Sequence, residues 1–183
     1  MTAFVSTPLV DPGSEAPPLL EIRDLVTSIK GRKNNFAAVD HVSFSVGRGE
    51  IFGVVGESGC GKSMTALSIL QLIPVNAAIT NGNIVFDGID LTTLGNSAMR
   101  KIRGNRISMV FQEPMTALDP SFTIGTQITE VIHAHSSVSR DDARTRAAQM
   151  LDRLGITNAA SRLDSYPHQF SGGMRQRVMM ALA

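Results

Sequence analysis

The residues best suited to chemistry in this chain lie together in one segment, GESGCGKS. They are Gly56, Glu57, Ser58, Gly59, Cys60, Gly61, Lys62 and Ser63, and they fit the phosphate-loop pattern G-x-x-x-x-G-K-[ST]. Glycines let the backbone curl so that successive N–H groups point at phosphate oxygens, and the dipole of a following helix adds to the attraction. Lys62 can reach the β- and γ-phosphates of a nucleotide, and the Ser63 hydroxyl can ligate a bridging Mg²⁺. The segment therefore predicts a site for a nucleoside triphosphate with Mg²⁺.

The elements on either side of this segment fit that interpretation. The apolar run Ile51–Val55 before it predicts a strand buried on both faces, and residues 63–73 after it predict a helix that Pro74 ends. The alternative, a glycine turn that binds nothing, does not account for a strand and a helix on its two sides. Cys60 is interpreted as a small residue tolerated in the loop, not as a nucleophile.

Further strands and helices can be predicted from periodicity and from capping residues. Strands are predicted over residues 20–29, 42–46, 83–86 and 106–111. A helix is predicted from Ser139 to Leu154, because Ser139 and Asp142 form a capping pair and Gly155 stands where a left-handed C-cap is expected. A last helix opens at Ser171. Residues 1–18 hold four of the eight prolines and are interpreted as a flexible leader.

Composition limits the classes of function. Apolar residues make up 43% and charged residues 18% of the 183 residues, as expected of a globular chain and not of a disordered one. The net charge of +1 gives no reason to expect a nucleic-acid groove. No apolar run approaches the roughly 20 residues that cross a bilayer, so a cytoplasmic protein is expected. The single cysteine excludes an internal disulfide, and His133 and His135 are expected on a solvated helix face without a metal.

Two further segments resemble motifs of the ABC ATPases. FSGGMRQRV, residues 170–178, resembles the ABC signature, and RISMVFQEPMTALDP, residues 106–120, resembles the Q-loop. Ser63 and Ser171 are 108 positions apart (171 − 63), which is similar to transporter ATPases and unlike the chromosome-maintenance and repair ABC proteins with their long insertion. Together with AVDHVSF and YPHQFSGGMRQRV, these motifs resemble the peptide/nickel importer subfamily, in particular the oligopeptide and dipeptide permease ATPases.

The resemblance implies a set of roles and partners. It implies that Gln112 senses Mg²⁺ and the attacking water, as a catalytic and metal-binding residue. Ser171, Gly172 and Gly173 would bind the γ-phosphate of ATP held by a second ATPase subunit, packed head to tail as a homo- or heterodimer. Transmembrane permease subunits and, indirectly, a solute-binding protein would be the other partners, on the inner face of the cell membrane. The expected solute is a peptide, with nickel as the second choice.

The implied fold is a P-loop NTPase of the ABC type, with a parallel core sheet, an antiparallel β subdomain and a helical signature subdomain. The domains are expected at residues 19–112, 113–170 and 171–183. The strand that carries the Walker B aspartate and catalytic glutamate is absent from the 183 residues, so truncation before it is expected. A non-hydrolysing nucleotide-binding remnant or gene fragment is therefore the alternative. At the adenine-stacking position the sequence has Ile29, and Phe36 is the nearest aromatic substitute.

Overall fold

The computed structural model describes residues 17–32, 34–111 and 117–183. The chain forms two compact units, residues 1–99 and residues 100–183. The predicted leader falls almost wholly outside the described residues, and so does Gln112. Of the helices in the described residues, none is long and apolar enough to pass through a membrane.

The first unit contains a four-stranded antiparallel sheet. Its strands are β1 (Leu20–Lys30), β2 (Asn35–Val46), β3 (Ala77–Phe86) and β4 (Ile89–Asp90), in the order β2-β1-β3-β4. Strands β1 and β3 carry buried apolar side chains, of which Ile22, Leu25 and Ile84 are almost fully enclosed. The strands predicted over residues 20–29, 42–46 and 83–86 are confirmed, although β2 and β3 begin several residues earlier than predicted.

A distortion of the sheet brings two left-handed residues together. Asp24 (φ 50°) and His41 (φ 48°) have positive φ angles, and their side chains meet with 2.7 Å between Asp24 Oδ1 and His41 Nδ1. The register of β1 shifts here against both neighbours, and Asn81 donates to Asp24 Oδ2 at 2.7 Å. The hydrogen bond between the two side chains raises the pKa of His41 and lowers the pKa of Asp24.

The helix after the phosphate loop, α1, spans Lys62–Ile69. The prediction that it continues to residue 73 is wrong. Gln71 adopts a left-handed conformation (φ 50°), its N–H bonds to Ser68 O, and the N–H of Leu72 bonds to Leu67 O. This Schellman arrangement satisfies the last carbonyls of α1, so the helix ends before it reaches Pro74.

Two predicted strands are not formed. Residues 51–55 have no strand partner in the described residues, and the side chains of Ile51 and Val55 are 79% and 56% exposed. In the second segment, Ile107 makes only an isolated parallel bridge to Arg103, while Val110 and Phe111 are exposed. A strand requires a neighbouring strand for its backbone groups. Among the described residues, none pairs with residues 51–55, and residues 106–111 have only this single bridge.

The second unit is helical. After α2 (Asn96–Ile102), which crosses the boundary between the units, come α3 (Ile124–His135), α4 (Arg140–Arg153), α5 (Ala159–Arg162) and α6 (Gly172–Leu182). Short 3-10 helices lie at Leu91–Thr93 in the first unit and Pro167–Gln169 in the second. The core of this unit is formed by apolar residues of the helices α3 to α6 and of the segments next to them, namely Leu118, Ile124, Ile128, Ala147, Leu151, Ile156, Ala159, Leu163, Phe170, Val178 and Met179.

The caps predicted for α4 are confirmed. Ser139 Oγ accepts a hydrogen bond from the Asp142 N–H at 3.1 Å and donates one to Asp142 Oδ2 at 2.7 Å. At the other end Gly155 is left-handed, with φ 74°. These local signals determined both ends of the helix within one residue.

Candidate functional site

The glycines of the phosphate loop are required by its conformation and by its surroundings. Gly59 and Gly61 have φ angles of 84° and 96°, a region that side chains other than glycine rarely adopt. A Cβ on Gly61 would lie 2.3 Å from the carbonyl oxygen of Ala38 in β2, and a Cβ on Gly56 would lie 2.6 Å from Cys60 Sγ. The loop is thus folded tightly on itself and against β2. There is no room for a side chain at position 61, and a side chain at position 56 would require the Cys60 thiol to move.

The Lys62 side chain reaches back over the loop. Its Nζ donates to the carbonyl oxygens of Gly56 and Glu57, both at 2.7 Å, and lies 3.5 Å from Cys60 Sγ. The ammonium group is therefore held by backbone acceptors of the loop itself. This position presents one positive charge beside the backbone N–H groups, as a phosphate site requires.

The N-terminus of α1 is available to an anion. Gly61 is the N-cap residue, and no side chain of the described chain caps the helix there. The first intrahelical bond that starts at the cap runs from the Thr65 N–H to Gly61 O at 2.8 Å, so the N–H groups before it point out of the helix end. Ser63, in the first turn, has an exposed side chain. This set of donors fits a phosphate group, and the Ser63 hydroxyl oxygen fits a hard cation such as Mg²⁺.

A buried hydrogen bond fixes α1 to the sheet. The hydroxyl groups of Thr27 in β1 and Ser68 in α1 are 2.8 Å apart, and both residues are fully buried. Ser68 Oγ also lies 2.7 Å from Met64 O, the carbonyl to which it donates. Sequence reasoning missed this contact, because two small polar residues 41 positions apart carry no local signal. It holds the helix that supports the loop in place.

The second glycine motif starts α6 in the helical unit. Ser171 is its N-cap, and Ser171 Oγ accepts a hydrogen bond from the Met174 N–H at 3.4 Å. A Cβ on Gly172 or Gly173 would meet no other atom of the described chain within 4 Å. The start of α6 is therefore open, and its backbone can be approached closely from outside.

Two arginines attach α6 to its surroundings, and sequence reasoning assigned neither of them a role. Arg175 Nε donates to Pro167 O at 2.9 Å, in the segment that leads into the motif. Arg177 Nη1 donates to the carbonyl oxygens of Leu154 and Gly155, at 3.2 and 2.9 Å. The basic residues at positions 175 and 177 were visible in the sequence, but their acceptors are backbone atoms that no motif marks.

The other predicted positions stand as follows. Ile29 and Phe36 are cross-strand partners in β1 and β2, so they share one face of the sheet, and the Phe36 side chain is 56% exposed. His133 and His135 lie in the last turn of α3. No group of three metal-ligating side chains occurs within the described ranges. The role predicted for Gln112 falls outside those ranges.

Comparison with known proteins shows the family to which the chain belongs. The family model described as ABC transporter matches residues 39–183. A probable peptide ABC transporter ATP-binding protein of Sinorhizobium fredii is 49% identical over 166 residues, which are 90% of this chain and 50% of the relative. The oligopeptide transport ATP-binding protein OppD of Bacillus subtilis is 43% identical over 166 residues, 90% of this chain and 46% of the relative. The chain thus spans about half the length of the curated relatives it matches.

The fold agrees with this family. A solved dimeric ATP-binding cassette in a post-hydrolysis state, bound to ADP and Pi, superposes with a TM-score of 0.75 at 25% identity, covering 89% of this chain and 68% of the other. The antiparallel sheet, the phosphate loop ahead of α1 and the helical unit with its signature motif are accordingly parts of an ABC ATPase fold. The chain belongs to the ABC transporter family.

Proposed function

We propose that this chain is part of an ATP-binding subunit that couples ATP binding and hydrolysis to the import of peptides through an ABC transporter. The observation that carries the proposal is the phosphate loop, in which Lys62 Nζ lies over tightly folded glycines at an uncapped helix start. The choice of peptide rests on the similarity to proteins named for peptide and oligopeptide transport.

In the proposed site, different groups of this chain would bind the phosphates and the Mg²⁺. The N–H groups at the start of α1 would hold the phosphate oxygens, and Lys62 would transfer its hydrogen bonds from Gly56 O and Glu57 O to the β- and γ-phosphates. The Ser63 hydroxyl would ligate Mg²⁺, with Gln112 proposed as a second ligand and as a contact to the attacking water. A bound Mg²⁺ neutralises charge that develops on the phosphates.

The open start of α6 is the proposed second half of the site. Ser171 Oγ and the backbone N–H groups of Gly172 and Gly173 would contact the γ-phosphate of a nucleotide held by another ATPase subunit. A head-to-tail dimer would therefore contain two complete sites. Permease subunits would anchor this dimer to the inner face of the membrane, with a solute-binding protein acting through them.

The substitution Lys62→Ala tests this function in the full-length subunit within its transporter. We expect nucleotide affinity and ATP-dependent peptide uptake to be lost, because no other described cation lies over the loop carbonyls. Lys101→Ala, which removes an exposed lysine of α2, is the control and should leave both unchanged. Undiminished affinity and uptake in the Lys62 variant would refute the assignment. Uptake of Ni²⁺ instead of peptides would refute the choice of solute, and binding without turnover would favour the non-hydrolysing alternative.

A further inference from the structure

The backbone at the C-terminal end of α4 is contacted by one side chain of α6, that of Arg177. The Gly155 N–H bonds to Asp152 O at 2.8 Å and the Ile156 N–H bonds to Leu151 O at 3.0 Å, which is the Schellman pattern. The carbonyls of Leu154 and Gly155, at the outer end of the turn, take no part in these two backbone bonds. Both accept from Arg177 Nη1. The guanidinium thus lies at the negative end of the helix dipole, where a cation is favoured.

Gly155 is fitted to this contact. Its φ of 74° brings the chain around the helix end, and a Cβ there would lie 2.9 Å from Arg177 Nη1. A side chain at position 155 would therefore push the guanidinium away from the carbonyls it binds. The same glycine both ends α4 and makes room for the arginine of α6.

Because of where Arg177 lies in α6, its contact with the end of α4 can affect the position of the signature motif. Val178 and Met179 bury α6 in the core of the helical unit, and Arg177 directly precedes them. Ser171 is six residues before Arg177, or about 9 Å along the helix at 1.5 Å per residue. A tilt of about 10° about this buried segment would move the motif by roughly 1.6 Å, whereas catalytic geometry is sensitive to displacements of about 1 Å.

We infer that Arg177 is a positioning residue, which sets the direction of α6 by binding the C-terminal end of α4 and so aims Ser171, Gly172 and Gly173 at the γ-phosphate. The inference rests on the proposed function, because it assumes that these three residues meet a nucleotide held by another subunit. Arg177 itself lies more than a helical turn away from the motif and needs no contact with the nucleotide. Gly155 acts with it by keeping the site on α4 open.

The test uses the full-length subunit in its transporter and compares two arginines. Arg177→Ala should lower kcat for ATP roughly tenfold or more, and should weaken ATP-dependent association of the two ATPase subunits. The nucleotide affinity of a single subunit, set by the phosphate loop, should stay within about twofold. Arg144→Ala is the matched control, since Arg144 also makes a charge-assisted bond in this unit, to Asp164 at 2.6 Å, but lies outside α6. Arg177→Lys keeps a cationic donor and should restore part of kcat.

A pair of glycine variants tests the contact from the other side. Gly155→Ala should reproduce the loss of kcat, whereas Gly88→Ala, with a similar φ of 78° and open space around its Cβ position, should not. Hydrogen exchange at the first-turn amides of α6 adds a readout that needs no ATPase activity. Exchange should be faster in Arg177→Ala than in Arg144→Ala. The inference would be overturned if hydrogen exchange were equal in these two variants. It would also be overturned if Arg177→Ala had the same kcat as an active wild-type protein. Loss of nucleotide binding by the wild type would instead refute the proposed function.

Discussion

Two helices of this chain begin with glycine-rich motifs that fit phosphate, and the two motifs are built differently. At α1 the N-cap is Gly61, no described side chain caps the helix, and glycines at positions 56 and 61 are enclosed by neighbouring atoms. At α6 the N-cap is Ser171, whose hydroxyl bonds to Met174 N, and the two following glycines face open space. The first is a closed cradle with its own cation, and the second is an open surface.

The difference shows that a glycine in such a motif can serve two physical purposes. In the cradle, glycine is required by the fold, because a Cβ would collide with the chain or demand a strained φ. At the start of α6, glycine is not required by the fold. It leaves backbone N–H groups accessible from outside the unit. Under the proposed function, the cradle should therefore bind nucleotide alone, and the α6 motif should contribute only when a second subunit is present.

The largest expected effect contrasts Gly61→Ala with Gly172→Ala. In Gly61→Ala the new Cβ would lie 2.3 Å from Ala38 O, so the loop must deform. We expect nucleotide affinity to fall roughly a hundredfold or more, which corresponds to about 2.8 kcal/mol. In Gly172→Ala the affinity of a single subunit should change less than about threefold. Isothermal titration calorimetry with ATP on the full-length subunit would check both, and similar losses in the two variants would break the comparison.

The next effect concerns Cys60, which lies inside the cradle. Its Sγ is 3.5 Å from Lys62 Nζ, so a group attached to the sulfur would displace the ammonium and fill space near the phosphates. Alkylation with N-ethylmaleimide should therefore block ATP binding, and Mg-ATP should protect the thiol against labelling. Cys60→Ala should bind ATP and be insensitive to the reagent. Equal labelling rates with and without nucleotide would place the thiol outside the bound site.

A smaller effect is expected at the open motif. Ser171→Ala removes the hydroxyl that caps α6, at a cost of about 1 kcal/mol to helix stability. Single-subunit nucleotide affinity should remain unchanged, while ATP turnover of the assembled transporter should fall roughly tenfold. Turnover assays beside single-subunit binding assays would separate these quantities. If affinity falls as much as turnover, the motif acts on the nucleotide of its own subunit.

The smallest expected effect is a difference in pH dependence between the antiparallel sheet and the helical unit. Because the pKa of His41 is raised above its ordinary value of 6.5, the contribution of its pair with Asp24 is present below that value and is lost as pH rises through the raised pKa. The lowered pKa of Asp24 keeps the contribution until pH falls below about 3.8. Hydrogen exchange in β1 and β2 should accelerate beyond the intrinsic pH effect as pH rises above 6.5 and through the raised pKa of His41, and exchange in α6 should not. His41→Asn, which tolerates the left-handed φ, should abolish this difference.

The sequence predicted those features that depend on neighbouring residues. Ser139, Asp142 and Gly155 predicted both ends of α4, and the alternation of Val42, Phe44 and Val46 with serines located the second half of β2. The end of α1 was predicted wrongly. Gln71, and not Pro74, ends the helix by adopting a left-handed conformation, which a glutamine in the sequence does not indicate.

The features that depend on distant residues were missed or overestimated. An apolar run at residues 51–55 has the composition of a buried strand, but strand formation needs a partner, and none lies in the described chain. The loop residues were located from their pattern alone. The contacts of Lys62, the bond between Thr27 and Ser68 and the attachment of Arg177 join residues that only the fold brings together.

We expect the apolar segment at residues 51–55, in which Ile51 and Val55 are exposed, to make the behaviour of the protein depend on its concentration. Its sequence, IFGVV, is uncharged and rich in β-branched and aromatic side chains, and its backbone has no strand partner among the described residues. Such a segment can pair with the same segment of another molecule, as in cross-β assembly. Because that first encounter is bimolecular, we expect turbidity to appear faster as protein concentration rises. Ile51→Lys should delay its onset by placing a charge in the growing contact.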